Sequence, residues 1–220
     1  MTSSQSGKKT LKQSLNVKRS PMKKTKQLQV TNQAQIEPII EKLISERHLV
    51  TVAIDGRCGS GKTMLAAGLM KRFYGTVFHL DDFYLLRHQR AAKKKEAGFA
   101  NADLERFENE VLKNLGKDKA FSYFKYFPKL GVTEEVKVEI PTQVNIVEGS
   151  YCTDESLRRY YDLTIFVTAP LEQRLERLAD RGENVDDYIK KWIPYEENFF
   201  AKQETEGLAD IILDEAEQPK

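Results

Sequence analysis

Eight consecutive residues, Gly56, Arg57, Cys58, Gly59, Ser60, Gly61, Lys62 and Thr63, fit the pattern G-x-x-x-x-G-K-[ST] without a mismatch. Glycines in such a run let backbone N–H groups turn inward and form an anion nest at the positive end of a following helix. Lys62 adds a mobile ammonium that can follow charge along a nucleotide's β- and γ-phosphates, and the Thr63 hydroxyl can ligate Mg²⁺. The expected ligand is therefore the triphosphate tail of a nucleotide such as ATP. Cys58 lies inside the loop, where neighbouring dipoles could lower its thiol pKa and make it reactive; the other reading is a small residue that fits.

Phosphate binding does not by itself define a reaction, so the carboxylates have to decide. The segment from His79 ends in Asp81-Asp82-Phe83-Tyr84. Two carboxylates at the carboxyl end of a strand stand where open α/β sheets bind ligands. One of them can accept the proton of an attacking hydroxyl and help organise Mg²⁺; either could instead cap a helix. The apolar run Val144–Val147 ends in Glu148-Gly149, which puts Glu148 in position to bind Mg²⁺ directly or through water. Arg174, Arg177 and Arg181 follow Pro170 on a helical pattern. Their guanidinium groups could clamp phosphoryl oxygens, or pair with Glu172 and Glu176 on a solvated face.

These residues need elements that hold them. Leu49–Asp55 is compact, apolar and β-branched, as a strand buried on both faces would be. A helix is predicted before it, over 31–48, and another after the loop, from Met64 to Phe73. Thr76–Leu80, Val136–Ile140, Val144–Val147, Leu163–Thr168 and Asp210–Leu213 read as strands. Asp103–Leu115, Leu171–Asp180 and Val185–Lys202 read as helices. Strands alternating with helices predict an α/β, three-layer fold with a central parallel sheet, helices on both faces and a small lid. Trp192, Tyr195, Phe199 and Phe200 recur at helical spacing and read as core. Residues 86–100 are polar and Lys-rich and suit either a loop over the site or an inert connection.

Composition bounds the rest. At 220 residues, with 40% hydrophobic and 31% charged side chains, one domain is expected. Neither Cys58 nor Cys152 has metal-type spacing with another Cys or His, so disulfide scaffolds and zinc are not expected. No apolar run would span a bilayer or serve as a secretory core, which leaves the cytoplasm as the default location and no membrane partner. Residues 1–30 hold eight basic side chains and no acidic one. They read as a disordered basic tail ahead of a domain at 31–216. Such a tail is either a solvated arm or a weak attractor of nucleic acid or anionic membrane. An Arg-poor organellar presequence is a further reading, and nucleic acid is not the expected main partner. A homo-oligomer is left open by the sequence.

The order of Ile54 to Thr63, Asp81-Asp-Phe-Tyr84, Asp103-Leu-Glu-Arg-Phe-Glu-Asn-Glu-Val-Leu112, Val147-Glu-Gly-Ser-Tyr151 and the Arg-rich helix resembles the uridine kinase-like family of P-loop kinases. The likeness covers about 48–213. It implies ATP-dependent phosphoryl transfer to a hydroxyl of a small molecule, with Asp81 activating the acceptor and Glu148 organising magnesium. It also implies that Arg174 joins the nucleotide site and that Arg177 and Arg181 act in transfer. Asp103 lies near an aspartate that holds ribose hydroxyls in relatives, Asp82 occupies a position that varies in the family, and Asp82 and Tyr84 are candidate substrate contacts. Uridine and cytidine kinases carry a base-reading histidine where this chain has Phe121-Ser-Tyr-Phe-Lys-Tyr-Phe-Pro128. There Tyr123 and Tyr126 either stack a planar ring or pack inward from a strand. The acceptor is accordingly a nucleoside first, then pantothenate, nicotinamide riboside or a phosphosugar. A nucleotide-dependent regulator or nucleic-acid-associated ATPase would lack a base aimed at an organic hydroxyl.

Overall fold

The structure is a computed structural model that describes residues 26–86, 101–117, 119–128, 130–139 and 141–215. Its elements are β1 (Leu28–Val30), α1 (Glu37–Glu46), β2 (Val50–Gly56), α2 (Lys62–Phe73) and β3 (Thr76–His79), then α3 (Leu104–Phe107), β4 (Phe121–Phe127), β5 (Val132–Val138) and β6 (Val144–Glu148). The chain ends with β7 (Leu163–Thr168), α4 (Leu171–Asp180), α5 (Val185–Asp187), α6 (Ile193–Gln203), α7 (Thr205–Leu208) and β8 (Ile211–Asp214). Six strands form one sheet in the order β1-β8-β7-β2-β6-β3, and every pairing in it is parallel.

The period of two along β2 explains the three layers. Val50, Val52 and Ile54 pack with Ile36, Ile40 and Leu43 from around α1 and with Leu65 and Leu69 of α2. Ala53, one residue out of phase, joins Phe78, Val147, Phe166 and Ile212 against Phe107, Phe199 and Phe200 on the opposite face. A strand with both faces covered must be apolar throughout, and all seven residues of β2 are buried.

Four expectations are corrected. Leu28–Val30, assigned by composition to the tail, is an edge strand whose Leu28, Gln29 and Val30 pair with Ile211, Ile212 and Leu213. Residues 1–25, most of 86–100 and the domain end at 216 lie outside the described residues. The strand expected at Val136–Ile140 begins at Val132 and belongs to a separate antiparallel hairpin with β4, Tyr123 facing Val136. The helix from Asp103 changes to π-type turns over Glu108–Leu112. The long helix from Val185 contains another π segment, Tyr188–Trp192, directly ahead of Pro194 near the start of α6. A proline cannot donate to the preceding turn and its ring crowds the carbonyl there, and a widened turn relieves both. No helix among the described residues is long and apolar enough to cross a membrane.

Candidate active site

β2 ends in Gly56, and the eight-residue loop delivers the chain into α2 at Lys62. The backbone takes positive φ at Gly56, Gly59 and Gly61, a region that costs other residues roughly 1–2 kcal/mol. Space is as restrictive as φ, since a Cβ on Gly59 would lie 2.6 Å from the Arg174 carbonyl oxygen. Lys62 Nζ donates to the carbonyls of Gly56 (2.7 Å) and Arg57 (3.0 Å) and approaches Ser150 Oγ at 3.3 Å.

The two predicted acidic segments meet this loop. Thr63 Oγ1 stands 3.4 Å from Oε2 of Glu148. Glu148 is buried at the end of β6, and its other oxygen lies 2.5 Å from Nδ1 of His79. That hydrogen bond, ahead of the opposing effect of burial, raises the His79 pKa. Asp81 opens to the cleft, yet atoms crowd it closely. Desolvation first, and the Glu148 carboxylate second, hold its pKa above the usual value of 3.8, while the Lys62 charge and then a hydrogen bond from the Tyr84 hydroxyl pull the other way. Beneath them Asp55, fully buried, accepts from the N–H groups of Gly56 (2.7 Å), Tyr151 (3.1 Å) and Thr153 (2.9 Å) and from the Thr153 hydroxyl (2.7 Å). One carboxylate thereby ties the start of the phosphate loop to the Glu148-Gly149 turn, and burial pushes its pKa up.

A cleft of about 350 Å³ opens over these groups. Among the described residues its walls include Cys58, Gly59, Lys62, Thr63, Asp81, Tyr84 and Glu148, together with Arg181, Glu183, Asp187, Tyr188, Trp192 and Glu196. Trp192, read as core, faces this space instead.

Several expected site residues point elsewhere. Asp82 is buried against the hairpin, accepting from Tyr123 Oη at 3.1 Å and pairing with Lys125 Nζ at 2.8 Å. Tyr123 stacks on Phe83 with ring centroids 5.4 Å apart, and Tyr126 is buried as well, so neither presents a free ring to a ligand. Asp103 caps α3, accepting from the Arg106 N–H at 3.1 Å. Asp82, Asp103, Tyr123 and Tyr126 are absent from the described cleft walls. The Arg57 side chain turns behind the loop, bonded to both oxygens of Glu197 at 2.7 and 3.1 Å and to Glu206 at 3.1 Å, above the Phe166 ring. Arg174 and Arg177 reach the carbonyls of Cys58 (3.4 Å) and Gly59 (3.2 Å), and Arg177 also bonds Glu215 at 3.2 Å. Of the three arginines after Pro170, Arg181 lines the cleft. Cys58 is not an activated thiol: burial, and then Glu196, push its pKa up to about 12.

Sequence reasoning missed Glu196, His79, Ser150 and Asp55. Ser150 and Asp55 adjoin motifs and could have been flagged by position. Glu196 carried no signal, because its role depends on how α6 docks.

A family model described as an AAA domain matches residues 52–198. A uridine kinase from Mycoplasma genitalium is 31% identical over 184 residues, which cover 74% of this chain and 84% of that protein. The fold is similar to the solved structure of a possible uridine kinase from Bacillus stearothermophilus (TM-score 0.62, 19% identity, covering 82% of this chain and all of that one). It is also similar to that of a provisionally assigned fructose transport system kinase from Silicibacter sp. TM1040 (TM-score 0.63, 22% identity, 83% and 98% covered). The phosphate loop, the parallel sheet that carries it and the similarity across most of the chain agree, and the protein belongs to the uridine kinase-like family of P-loop kinases as an ATP-dependent kinase of small molecules.

Proposed function

We propose that this kinase moves the γ-phosphoryl group of ATP to a hydroxyl of a nucleoside. The observation that carries the reading is the convergence of Lys62, Thr63, Asp81 and Glu148, drawn from three separate segments, on one cleft. The loop amides and Lys62 hold the phosphates, and Asp81 takes the proton from the acceptor O–H as its oxygen bonds the γ-phosphorus. The bond from that phosphorus to the β,γ-bridging oxygen breaks, and ADP leaves. Arg181, at the cleft rim, supplies positive charge to the transferring group and helps exclude water.

The Thr63 hydroxyl and the Glu148 carboxylate, 3.4 Å apart, are hard oxygen donors that fit Mg²⁺, with Asp81 close by. The described residues contain no group of three acidic, His or Cys side chains able to hold a metal alone. The Thr63 and Glu148 oxygens suit an ion bound by one or two protein groups plus substrate phosphates. Bound there, Mg²⁺ would neutralise charge developing on the phosphates.

Charge in the cleft supports a nucleoside over the anionic alternatives. Among the described residues Asp81, Glu148, Glu183, Asp187 and Glu196 line it, against Lys62 and Arg181. A nucleotide's phosphates satisfy those two cations, so the walls built by the described residues would offer a phosphosugar or pantothenate no cation of its own. The test is incubation of the protein with Mg²⁺, ATP and a panel of nucleosides, nicotinamide riboside, pantothenate and sugar phosphates, with Lys62→Ala and Asp81→Asn as controls. A phosphorylated nucleoside lost in both variants is expected. Transfer to a sugar phosphate or pantothenate alone would overturn the acceptor assignment, and ATP hydrolysis without transfer would overturn the reaction.

A further inference from the structure

Glu196 sits on α6, more than 130 residues along the chain from the phosphate loop, and is 6% exposed. A buried carboxylate needs partners, and Glu196 has two. Its Oε2 accepts the Cys58 backbone N–H at 2.9 Å, and its Oε1 accepts the Ser150 hydroxyl at 2.7 Å. Ser150 Oγ is in turn 3.3 Å from the Lys62 ammonium. A protein carboxylate therefore occupies one amide of a loop whose amides bind phosphate, one hydroxyl away from the lysine that serves the β- and γ-phosphates.

The position within the loop matters. Amides from Gly59 onward lead into the N-terminus of α2 and surround the inner phosphates. Cys58 precedes them, on the side that Glu196 ties to Ser150, two residues after Glu148. The terminal phosphate has to come to that side, because the acceptor and its base are there.

We propose that Glu196 is the residue by which this kinase distinguishes nucleoside triphosphate from diphosphate. The γ-phosphate takes the Cys58 amide and repels Glu196 from it, whereas a diphosphate leaves both Glu196 hydrogen bonds in place. α6 continues the segment that carries Glu183, Asp187, Tyr188 and Trp192 along the cleft wall. Release of Glu196 therefore frees that wall to move only when a transferable phosphate is bound. Glu197, the next residue, keeps α6 tethered through Arg57, so the helix pivots and does not detach. This inference rests on the cleft being a nucleotide site.

The test is calorimetry on the full chain with Mg²⁺ and either ADP or the β,γ-methylene analogue of ATP. In Glu196→Gln the side-chain oxygen can still accept from the Cys58 amide and the new amide can donate to Ser150, so size and bonding persist without the charge. The triphosphate analogue should bind roughly tenfold tighter to this variant, the scale of one hydrogen bond to a charged group, with ADP within about twofold of wild type. A second readout needs no variant. Trp192, the sole tryptophan, stands four residues before Glu196, and its emission should change with the triphosphate analogue and not with ADP. Equal shifts for both nucleotides, or no preferential gain in Glu196→Gln, would leave Glu196 a structural tie and sink the inference. Failure of wild-type protein to bind either nucleotide would instead overturn the reading of the cleft, and this inference with it.

Discussion

His79 and Glu148 face each other across neighbouring parallel strands, paired in register at the last residue of β3 and of β6, with Nδ1 and Oε1 2.5 Å apart. Register thus brings an imidazole to the carboxylate that also meets Thr63, and the bond fixes which way Glu148 presents its second oxygen. Partners that orient a ligand in this way typically change metal affinity 10- to 100-fold when removed. His79→Leu should raise the Mg²⁺ concentration for half-maximal activity by about tenfold, measured by metal titration of transfer. The pair also links stability to pH. Because the folded pKa of His79 is raised above its ordinary 6.5, its contribution is fully present below about that pH and is lost as pH rises through the folded value. In metal-free buffer, the stability of wild type over His79→Leu should therefore shrink from pH 5.5 to 8.5, as read from urea midpoints. A gap that stays constant would show that the imidazole does not titrate against Glu148.

Asp81 leads to a prediction of opposite character. As the proposed base it must be ionised, yet crowding and the Glu148 charge raise its pKa. Activity should fall as pH drops through a value above the usual 3.8, visible as an acid limb in kcat/KM. Asp81→Asn should bind nucleotide and lose about 10²- to 10⁴-fold in transfer. Turnover left intact in that variant would move the base elsewhere.

Local chemistry was legible in the sequence wherever one short segment supplies it. The loop from Gly56 to Thr63, β2 and the Glu148-Gly149 turn all follow from composition and spacing, and β7 and α4 run as their patterns predict, at Leu163–Thr168 and Leu171–Asp180. What was not legible depends on direction. Asp81 and Asp82 are chemically alike, and only the 3-10 turn over Leu80–Phe83 sends one to the cleft and the other to the hairpin. Tyr123 and Tyr126 read equally well as a stacking platform or as core, and the choice is made by β4 packing over Phe83 and Phe78. Leu28–Val30 has too few apolar residues to announce a strand and is ordered by the edge of β8, a contact at the far end of the chain.

Asp82 makes that directional argument testable. It is buried beneath Lys125 and Tyr123 and does not line the described cleft. Asp82→Asn should cost about 1–3 kcal/mol of stability, the usual cost of disturbing a buried bond to a charged group, measured by denaturant unfolding. Transfer per folded molecule should stay within about threefold of wild type, in contrast to Asp81→Asn; a loss of 10²-fold with the fold intact would return Asp82 to the site.

Arg57 separates a phosphate ligand from a tether. Its guanidinium bonds both oxygens of Glu197, reaches Glu206, and lies 5.3 Å from the centre of the Phe166 ring. The planar fork serves two carboxylates while its face covers an aromatic ring, and lysine reproduces neither arrangement. The side chain is mostly shielded, and Glu197 raises the Arg57 pKa despite the opposing effect of burial. Arg57→Lys and Arg57→Ala should therefore both destabilise the docking of α6 by about 1–3 kcal/mol, seen as lost protection of α6 amides in hydrogen exchange. Because the guanidinium points away from the cleft, ADP affinity should change by less than about threefold once unfolded protein is discounted. If affinity falls tenfold or more while α6 keeps its protection, Arg57 belongs with the phosphate-binding groups after all.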